Sequence, residues 1–367
     1  MKDSGKLVST LREVVQAKAP NTRLPSIRAL MKRHGASLYA VNLALRRLAD
    51  EELVDVRHGS GIYVRARKGG RYIEFHRPLY PSSNTDIKEL SLSRAVSALG
   101  WHLLVRHHGA NGGDQDDLMN PIASAHVVVP PLLDISPTFR DQVLRQRAPV
   151  VLAFGSNMGQ LPFDHIMGND HQYFSSMVKH FVQSGHQRIA FLQNEPPCSS
   201  GASRSYRSEL YTDIMRLLDL PVNIIDCGTR SGENSMLKAY EGLSRHLSGQ
   251  RGSRPGFTAL IVGSAAGVPG VLRAMHEAGL SVPGDCSVGS LGMEPENSLR
   301  VPSVTEVGVA DDQWGEGVVE VLQRRFASPD MAPMTLKLEP TLHVRESSAK
   351  LATIGGEKRS RGGRTKT

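Results

Sequence analysis

Two groups of side chains in this sequence have the types and spacing of binding sites. The first lies within residues 23–61 and combines arginines, short polar side chains and the Gly-Ser-Gly turn of the stretch RHGSGIYV, residues 57–64. The second includes Arg204 and Arg207, which are one turn apart on a predicted helix. Because the guanidinium group is a planar fork of N–H donors, both groups indicate binding of phosphate, carboxylate or polyol oxygens.

Three predicted helices and a hairpin position the first group. The apolar spacing in residues 6–16 predicts a first helix. A second helix begins at the N-cap Ser26 and ends at Gly35, and a third begins at Ser37. Two short helices joined by a tight turn form a helix-turn-helix, whose second helix lies in the DNA major groove. The Gly-Ser-Gly turn then joins two short strands, as in the wing of a winged helix.

Residues 5–66 resemble the winged-helix domain of the gluconate-repressor (GntR) family. The matching residues are Leu24-Pro25-Ser26 with Arg28, Gly35-Ala36-Ser37, Ala44-Leu45 with Leu48, Leu53-Val54, and Gly59-Ser60-Gly61 with Val64. The resemblance implies that Arg28 and the wing tip contact phosphate and the minor groove while the third helix reads bases. The chain departs from the family pattern at Leu38, Ala40 and Asn42, where Arg, Thr and Arg are usual.

Double-stranded operator DNA, bound by a homodimer at a pseudo-palindromic site, is therefore the predicted partner. Asn42 suits a bidentate pair with adenine, and Tyr39 has the length to reach a thymine methyl group or a phosphate. The alternative for each of these two is an exposed side chain that touches nothing. The full predicted DNA-binding set is Arg23, Ser26, Arg28, Ser37, Tyr39, Asn42, Arg46, His58, Gly59, Ser60 and Gly61.

The distribution of charge also indicates a polyanionic partner. Residues 1–70 carry 14 Lys and Arg against 6 Asp and Glu, in a chain of formal net charge +8. Residues 349–367 are Gly-rich and basic, and we expect a disordered tail that adds phosphate contacts or only solubility. The region between them has more acidic than basic side chains. A basic small domain on a mildly acidic large one is typical of a nucleic-acid-binding protein.

Strands alternate with amphipathic helices from residue 72 onward. The predicted strands are residues 72–77, 101–108, 125–129, 149–154, 164–168, 187–193, 222–228, 257–263 and 286–292. Such alternation predicts parallel sheets covered by helices on both faces. The region is longer than one open sheet needs, so we expect two lobes with a ligand cleft at the carboxyl ends of the strands. The predicted fold class is α/β, with an N-terminal winged helix-turn-helix domain and a two-lobed domain.

Four segments of the large region resemble the effector domain of the lactose-repressor (LacI) family, which has the fold of periplasmic sugar-binding proteins. They are residues 184–191, 278–288, 302–307 and 339–347. The resemblance covers residues 165–348 well, and residues 72–150 only by strand–helix alternation. Together the two resemblances imply the architecture of arabinose repressors. The predicted organisation is a DNA-binding domain at 1–68, a linker at 69–71, an effector-binding and dimerisation domain at 72–348 and a tail at 349–367.

The LacI resemblance also implies where an effector binds. Arg207 stands where the family has its ligand-gripping arginine, and Arg204 is one turn earlier. Gly155, Ser264 and Gly292 stand where the family has polar carboxylate or amide side chains. Buried hydroxyls without partners cost about 1–3 kcal/mol each, which disfavours an ordinary free sugar. The predicted effector set is Arg204, Arg207, Gly155, Ser264 and Gly292.

Two alternatives remain open at this point. The large domain is either a sensor of an atypical small molecule or a dimerisation scaffold without an effector. Arg207 is either a ligand contact or a surface arginine paired with Glu209 or Asp213 on its own helix.

The sequence lacks the residues that several other classes of function need. Residues 263–270 are Gly-rich but have neither the Walker lysine nor the dinucleotide fingerprint, and no GxSxG elbow is present, so neither an enzyme nor a cofactor is predicted. No metal site is predicted, because the adjacent His107 and His108 point to opposite faces of a strand. Widely spaced cysteines, the lack of a long apolar run and a start unlike a signal peptide predict a cytoplasmic protein without a membrane partner.

Overall fold

The computed structural model of the chain comprises a small N-terminal unit and two α/β lobes. The residues that the structure describes are 3–16, 18, 22–50, 53–57, 60–65, 70–78, 83–108, 123–129, 141, 144–145, 148–153, 163–196, 206–230, 232–249 and 255–351. No helix among them is long and apolar enough to cross a membrane.

The N-terminal unit is a winged helix-turn-helix, as predicted. Its elements are α1 (Asp3–Gln16), α2 (Ile27–His34), α3 (Leu38–Asp50), β1 (Val54–Arg57) and β2 (Gly61–Val64), with β1 and β2 antiparallel. The Ser26 hydroxyl accepts the Ala29 N–H at 3.3 Å and so caps α2. Gly35 ends α2 at φ +59°, a left-handed conformation that favours glycine. Both predicted ends of α2 are thus confirmed.

The first lobe, which we name the N-lobe, contains a six-stranded parallel sheet of order β13-β7-β6-β5-β3-β4. Its strands are β3 (Tyr72–Pro78), β4 (His102–His108), β5 (Ala125–Val128), β6 (Val150–Ala153), β7 (Asp164–Gly168) and β13 (Thr335–Leu338). Two helices, α4 (Ser83–Ala98) and α9 (Asp311–Ala327), pack on one face of this sheet, against Ile73, Phe75 and Val127. The alternate residues of β3 therefore face the other side.

The second lobe, the C-lobe, has a six-stranded sheet of order β14-β12-β11-β10-β8-β9. Its elements are α5 (Asp170–Gln183), β8 (Ile189–Gln193), α6 (Tyr206–Leu217), β9 (Ile224–Asp226), α7 (Ser235–Ser248), β10 (Ala259–Val262), α8 (Val268–Glu277), β11 (Ser287–Leu291), β12 (Thr305–Gly308) and β14 (Thr341–His343). Only the β12–β14 pair is antiparallel. Phe191 packs with Phe174 and Tyr211 on one face, and its neighbour Leu192 packs on the other. Both faces of the C-lobe sheet are therefore buried, as parallel strands require.

The predicted strands of the large region are all present, and the described residues contain three further strands that were not predicted. β3 to β11 fall within two residues of the predicted boundaries at each end. The sequence analysis did not predict β12, β13 and β14, which are only three or four residues long and do not form apolar runs. These three strands matter because they carry the chain back and forth between the lobes.

The close approach of α4 and α9 depends on Gly315. A Cβ atom at residue 315 would lie 2.3 Å from the Ser91 carbonyl oxygen, so the helix backbones would have to separate. We predict that Gly315→Ala destabilises the N-lobe by about 1–3 kcal/mol through overpacking, although Ala is the better helix former by about 1 kcal/mol. Urea unfolding followed by tryptophan fluorescence measures this directly, because both tryptophans, Trp101 and Trp314, belong to the N-lobe.

Gly249→Ala is the matched control. Its Cβ atom would lie 3.7 Å from the His246 carbonyl oxygen, an ordinary contact distance. We expect a change within about 0.5 kcal/mol. Equal stability of the two variants would contradict the packing role of Gly315.

Candidate functional site

The exposed face of α3 carries three residues of the predicted DNA-binding set. Tyr39 is 77% exposed, Asn42 is half-buried and Arg46 is exposed. The spacing of these residues, i, i+3 and i+7, places them on one face of the helix. Val41 and Leu48, by contrast, are completely buried on the opposite face. The exposed face of α3 is thus polar and carries a cation, and the opposite face packs into the core of the unit.

The wing is a tight turn braced by Tyr63, a residue that the sequence analysis missed. The Ser60 N–H donates to the Arg57 carbonyl oxygen at 3.0 Å, and the Ser60 hydroxyl lies 3.0 Å from the Tyr63 hydroxyl. The Arg57 guanidinium lies over the Tyr63 ring, 4.6 Å from its centroid. The Arg23 side chain is beside Gly61. The Tyr63 contacts thus brace Ser60 and hold the Arg57 cation next to it.

The structure describes three of the remaining residues predicted to contact DNA, and two lie outside the described residues. Arg28 is exposed in the first turn of α2, and Ser26 and Ser37 are exposed at the starts of α2 and α3. The Ser37 hydroxyl accepts the Ala40 N–H at 3.2 Å, so each serine caps its helix. A helix N-terminus attracts phosphate through its free N–H groups and its dipole. His58 and Gly59 lie outside the described residues.

A cavity of about 410 Å³ lies between the lobes, at the carboxyl ends of the C-lobe strands. Most of the described side chains around it are polar, and five of these are carboxylates. The charged and amide side chains that line it are Asn84, Asp86, Glu195, Arg230, Glu233, Asn234, Glu294, Glu296, Asn297 and Arg300. Glu195, Glu233 and Glu294 follow β8, β9 and β11, the place where ligands bind in open α/β sheets. The sequence analysis missed all three, since no local pattern marks them.

Arg207 lies at the start of α6, where its guanidinium bridges two elements. Its Nη2 donates to Asp170 Oδ1 at 3.0 Å, its Nε donates to the same oxygen at 3.3 Å, and its Nη1 donates to the Gly263 carbonyl oxygen at 2.8 Å. The partner is therefore Asp170, and the alternative pairing with Glu209 or Asp213 is wrong. A guanidinium has five N–H donors, so two remain beyond these three contacts with residues that the structure describes.

The other predicted effector residues lie around the same edge of the C-lobe sheet. Ser264 precedes Ala265, which lines the cavity, and its backbone N–H donates to Asn194 Oδ1 at 2.9 Å. Gly292 has φ +89°, a conformation that favours glycine, and its N–H donates to the Val307 carbonyl oxygen. Arg204 and Gly155 lie outside the described residues. The proposed effector role of all these residues stays a prediction.

Lys88 of α4 is a cation near the cleft that the sequence analysis missed. Its Nζ lies 4.3 Å from the centroid of the Trp314 ring. Desolvation lowers the pKa of Lys88 to about 7, and the positive charge of Arg207 acts in the same direction. The carboxylates of Asp170, Glu294 and Asp311 oppose this lowering. The Lys88 amine therefore lies near Arg207 and within the influence of Asp170, the carboxylate that Arg207 binds.

Comparison with known proteins supports this two-part organisation. Residues 10–64 match the family model described as "Bacterial regulatory proteins, gntR family". Residues 178–348 match the model described as "Periplasmic binding protein-like domain". The chain thus combines a GntR-type helix-turn-helix domain with a periplasmic-binding-protein-like domain.

Among curated proteins, the chain is 28% identical over 171 residues to the ribose operon repressor of Escherichia coli (strain K12), covering 47% of this chain and 49% of that protein. It is 26% identical over 211 residues to the HTH-type transcriptional regulator GalR of Lacticaseibacillus casei, covering 56% of this chain and 61% of that protein. The chain thus spans about half the length of the ribose repressor and somewhat more of GalR. Both relatives are named as regulators of transcription.

Solved structures of LacI-family regulators share the fold. One is the regulator CCPA from Weissella paramesenteroides with bound sucrose, which is 19% identical and has a TM-score of 0.64. The structural match covers 77% of this chain and 100% of the Weissella paramesenteroides chain. Another, from Enterococcus faecium with bound ribose, is 14% identical over 76% of this chain and 99% of that chain, with a TM-score of 0.61.

The Asp170–Arg207 ion pair can be tested by double-mutant cycles. We predict a coupling energy of about 1–3 kcal/mol between Asp170→Asn and Arg207→Met, because each single change leaves a partly buried charge without its partner. The matched cycle pairs Glu209→Gln with Arg207→Met, and we expect coupling below about 0.5 kcal/mol. Urea unfolding followed by circular dichroism gives both values. Stronger coupling to Glu209 than to Asp170 would overturn the assignment.

Proposed function

We propose that the protein is a sequence-specific DNA-binding transcriptional regulator, acting as a homodimer, whose operator affinity changes when a small polar molecule binds between the lobes. The observation that carries this proposal is the combination of two surfaces in one chain. One is the polar face of α3 in a winged helix-turn-helix, and the other is the polar cleft of a two-lobed domain. Relatives named as repressors support the same function.

In the DNA-binding half of the proposal, some exposed side chains contact phosphates and others contact base edges. Phosphate contacts position a protein on DNA, whereas contacts to base edges specify the sequence. Arg28 is a flexible exposed cation at the start of α2, suited to phosphate. Asn42 on the exposed face of α3 has the amide that pairs with adenine. Substitution of these two residues therefore has different consequences.

We predict that Arg28→Ala weakens binding to operator and scrambled DNA alike and makes the plot of log affinity against log salt less steep by about one unit. Asn42→Ala should weaken the preference for operator over scrambled DNA by about 1–3 kcal/mol. Fluorescence anisotropy with the upstream region of the protein's own gene, across a salt series, measures both effects.

Arg216→Ala is the control for lost charge. Arg216 is an exposed arginine on α6 of the C-lobe, and its removal should leave both affinities unchanged. Equal affinity of the wild-type protein for operator and scrambled DNA at every salt concentration would end the proposal of sequence-specific binding.

The chemistry of the cleft defines the class of effector. Carboxylates accept hydrogen bonds and cannot donate them, so a ligand bound by Glu195, Glu233 and Glu294 must supply donors. Hydroxyl, amino and guanidinium groups meet this need. These carboxylates provide the acceptors that the sequence analysis found missing at Gly155 and Gly292. The effector class that we propose is therefore a polyhydroxylated or cationic small molecule, and the sugar-bound solved structures are consistent with the first of these.

A thermal-shift screen with sugars in one arm and amines in the other tests this class. A ligand at 100 times its dissociation constant should stabilise the protein by about 2.7 kcal/mol. Glu195→Gln should reduce the shift, because it removes a charged acceptor from the cavity wall. Glu316→Gln, an exposed change on α9 outside the cavity lining, should not. No shift in either arm favours the alternative of a dimerisation scaffold.

A further inference from the structure

Two histidines and a glutamate meet in the N-lobe, away from the cleft cavity. Glu74 and His76 are alternate residues of β3, and His126 lies directly opposite Glu74 on β5. They therefore share one face of the sheet, opposite the face that packs against α4 and α9. All three side chains are at most 2% exposed. The sequence did not predict this cluster, because the strand register that brings His126 to Glu74 has no local signal.

The three inward-pointing atoms of this cluster form a nearly equilateral triangle. Glu74 Oε2 lies 3.3 Å from His76 Nε2 and 3.2 Å from His126 Nδ1, and the two nitrogens are 3.2 Å apart. Tetrahedral zinc with bonds of about 2.0 Å holds its ligand atoms about 3.3 Å apart. An octahedral ion with bonds of about 2.1 Å needs adjacent ligands about 3.0 Å apart, and Mg²⁺ also prefers oxygen. The triangle matches the tetrahedral spacing on all three edges.

When Glu74 is ionised, protons alone do not satisfy this triangle. Each of its three contacts needs one donor and one acceptor, and an ionised carboxylate only accepts. If both nitrogens donate to Glu74, the contact between His76 and His126 joins two donors. If only one donates, the other nitrogen and the carboxylate oxygen are both acceptors. A cation that takes a lone pair from each of the three atoms satisfies every contact.

Arg106 holds the glutamate in the form that a metal needs. Its Nε donates to Glu74 Oε1 at 2.8 Å, which stabilises the carboxylate and leaves Oε2 directed at the histidines. The Arg106 side chain is 39% exposed, so water partly solvates its charge. Hydrogen bonds of this kind orient the carboxylates that bind metals.

We propose that Glu74, His76 and His126 bind a divalent zinc-type cation in the N-lobe, with the fourth tetrahedral position filled by an exogenous ligand such as water. Imidazole nitrogens together with one carboxylate oxygen favour Zn²⁺ over Ca²⁺ or Mg²⁺. The ion fastens β3 to β5. The site is separate from the cleft cavity, whose lining does not include these three residues.

The test is metal binding by the full chain prepared without a histidine tag. We expect one Zn²⁺ per chain by elemental analysis after equilibrium dialysis, and intense visible bands of tetrahedral coordination when Co²⁺ replaces it. Loss of an outer-shell partner alone costs about 10- to 100-fold in affinity. Glu74→Gln and His126→Gln, which remove a ligand, should therefore lower Zn²⁺ affinity by at least about 100-fold in competition with a chelating dye.

His165→Gln is the matched control, since His165 lies in β7 of the same sheet but outside the cluster. Its Zn²⁺ affinity should equal that of the wild type. The Co²⁺ spectrum of the wild-type chain decides the question if a variant fails to fold. Absence of Zn²⁺ uptake, octahedral Co²⁺ bands or unchanged affinity in His126→Gln would each overturn the proposal.

Discussion

The chain passes between the two lobes of the large domain at three places, and hydrogen bonds tie these crossings to one another. At the first, Asn169 Nδ2 donates to Glu339 Oε1 of the third crossing at 3.0 Å. At the second, the Val309 N–H donates to the Tyr173 hydroxyl at 3.2 Å. Three linked crossing segments allow a hinge movement of the lobes but resist their separation. In the proposed mechanism, a ligand in the cleft beside this hinge changes the angle between the lobes.

The Asp170–Arg207 pair extends this hinge into the C-lobe. Asp170 follows the first crossing, and Arg207 links it to the carbonyl oxygen of Gly263 at the end of β10. At the opposite side of the N-lobe, Lys18 of the winged helix and Trp101 line a smaller cavity of about 240 Å³ between the two units. The N-lobe thus contacts the DNA-binding unit on one side and the hinge on the other. The proposed coupling between the cleft and operator affinity would follow this route.

The parts of the structure that depend on local residues could be predicted from the sequence, and the parts that depend on distant ones could not. The caps Ser26 and Gly35 act within one helix turn, so their residue types are sufficient. β12 contains Glu306, a buried carboxylate. Arg345, far along the chain, and Asn297, in another element, each donate to it at 2.8 Å. The partner of Arg207 was missed for the same reason, since Asp170 is on another helix. Long-range pairs of this kind leave no periodic signal.

The proposed mechanism couples the cleft to the winged helix-turn-helix, and reciprocity tests this coupling most directly. Operator affinity is measured by fluorescence anisotropy with and without the ligand that gives the largest thermal shift. The affinity for that ligand is then measured by calorimetry with and without operator DNA. Coupling of about 1–3 kcal/mol predicts a change of about 5- to 150-fold, equal in both measurements. Operator affinity that does not change at saturating ligand would contradict the account.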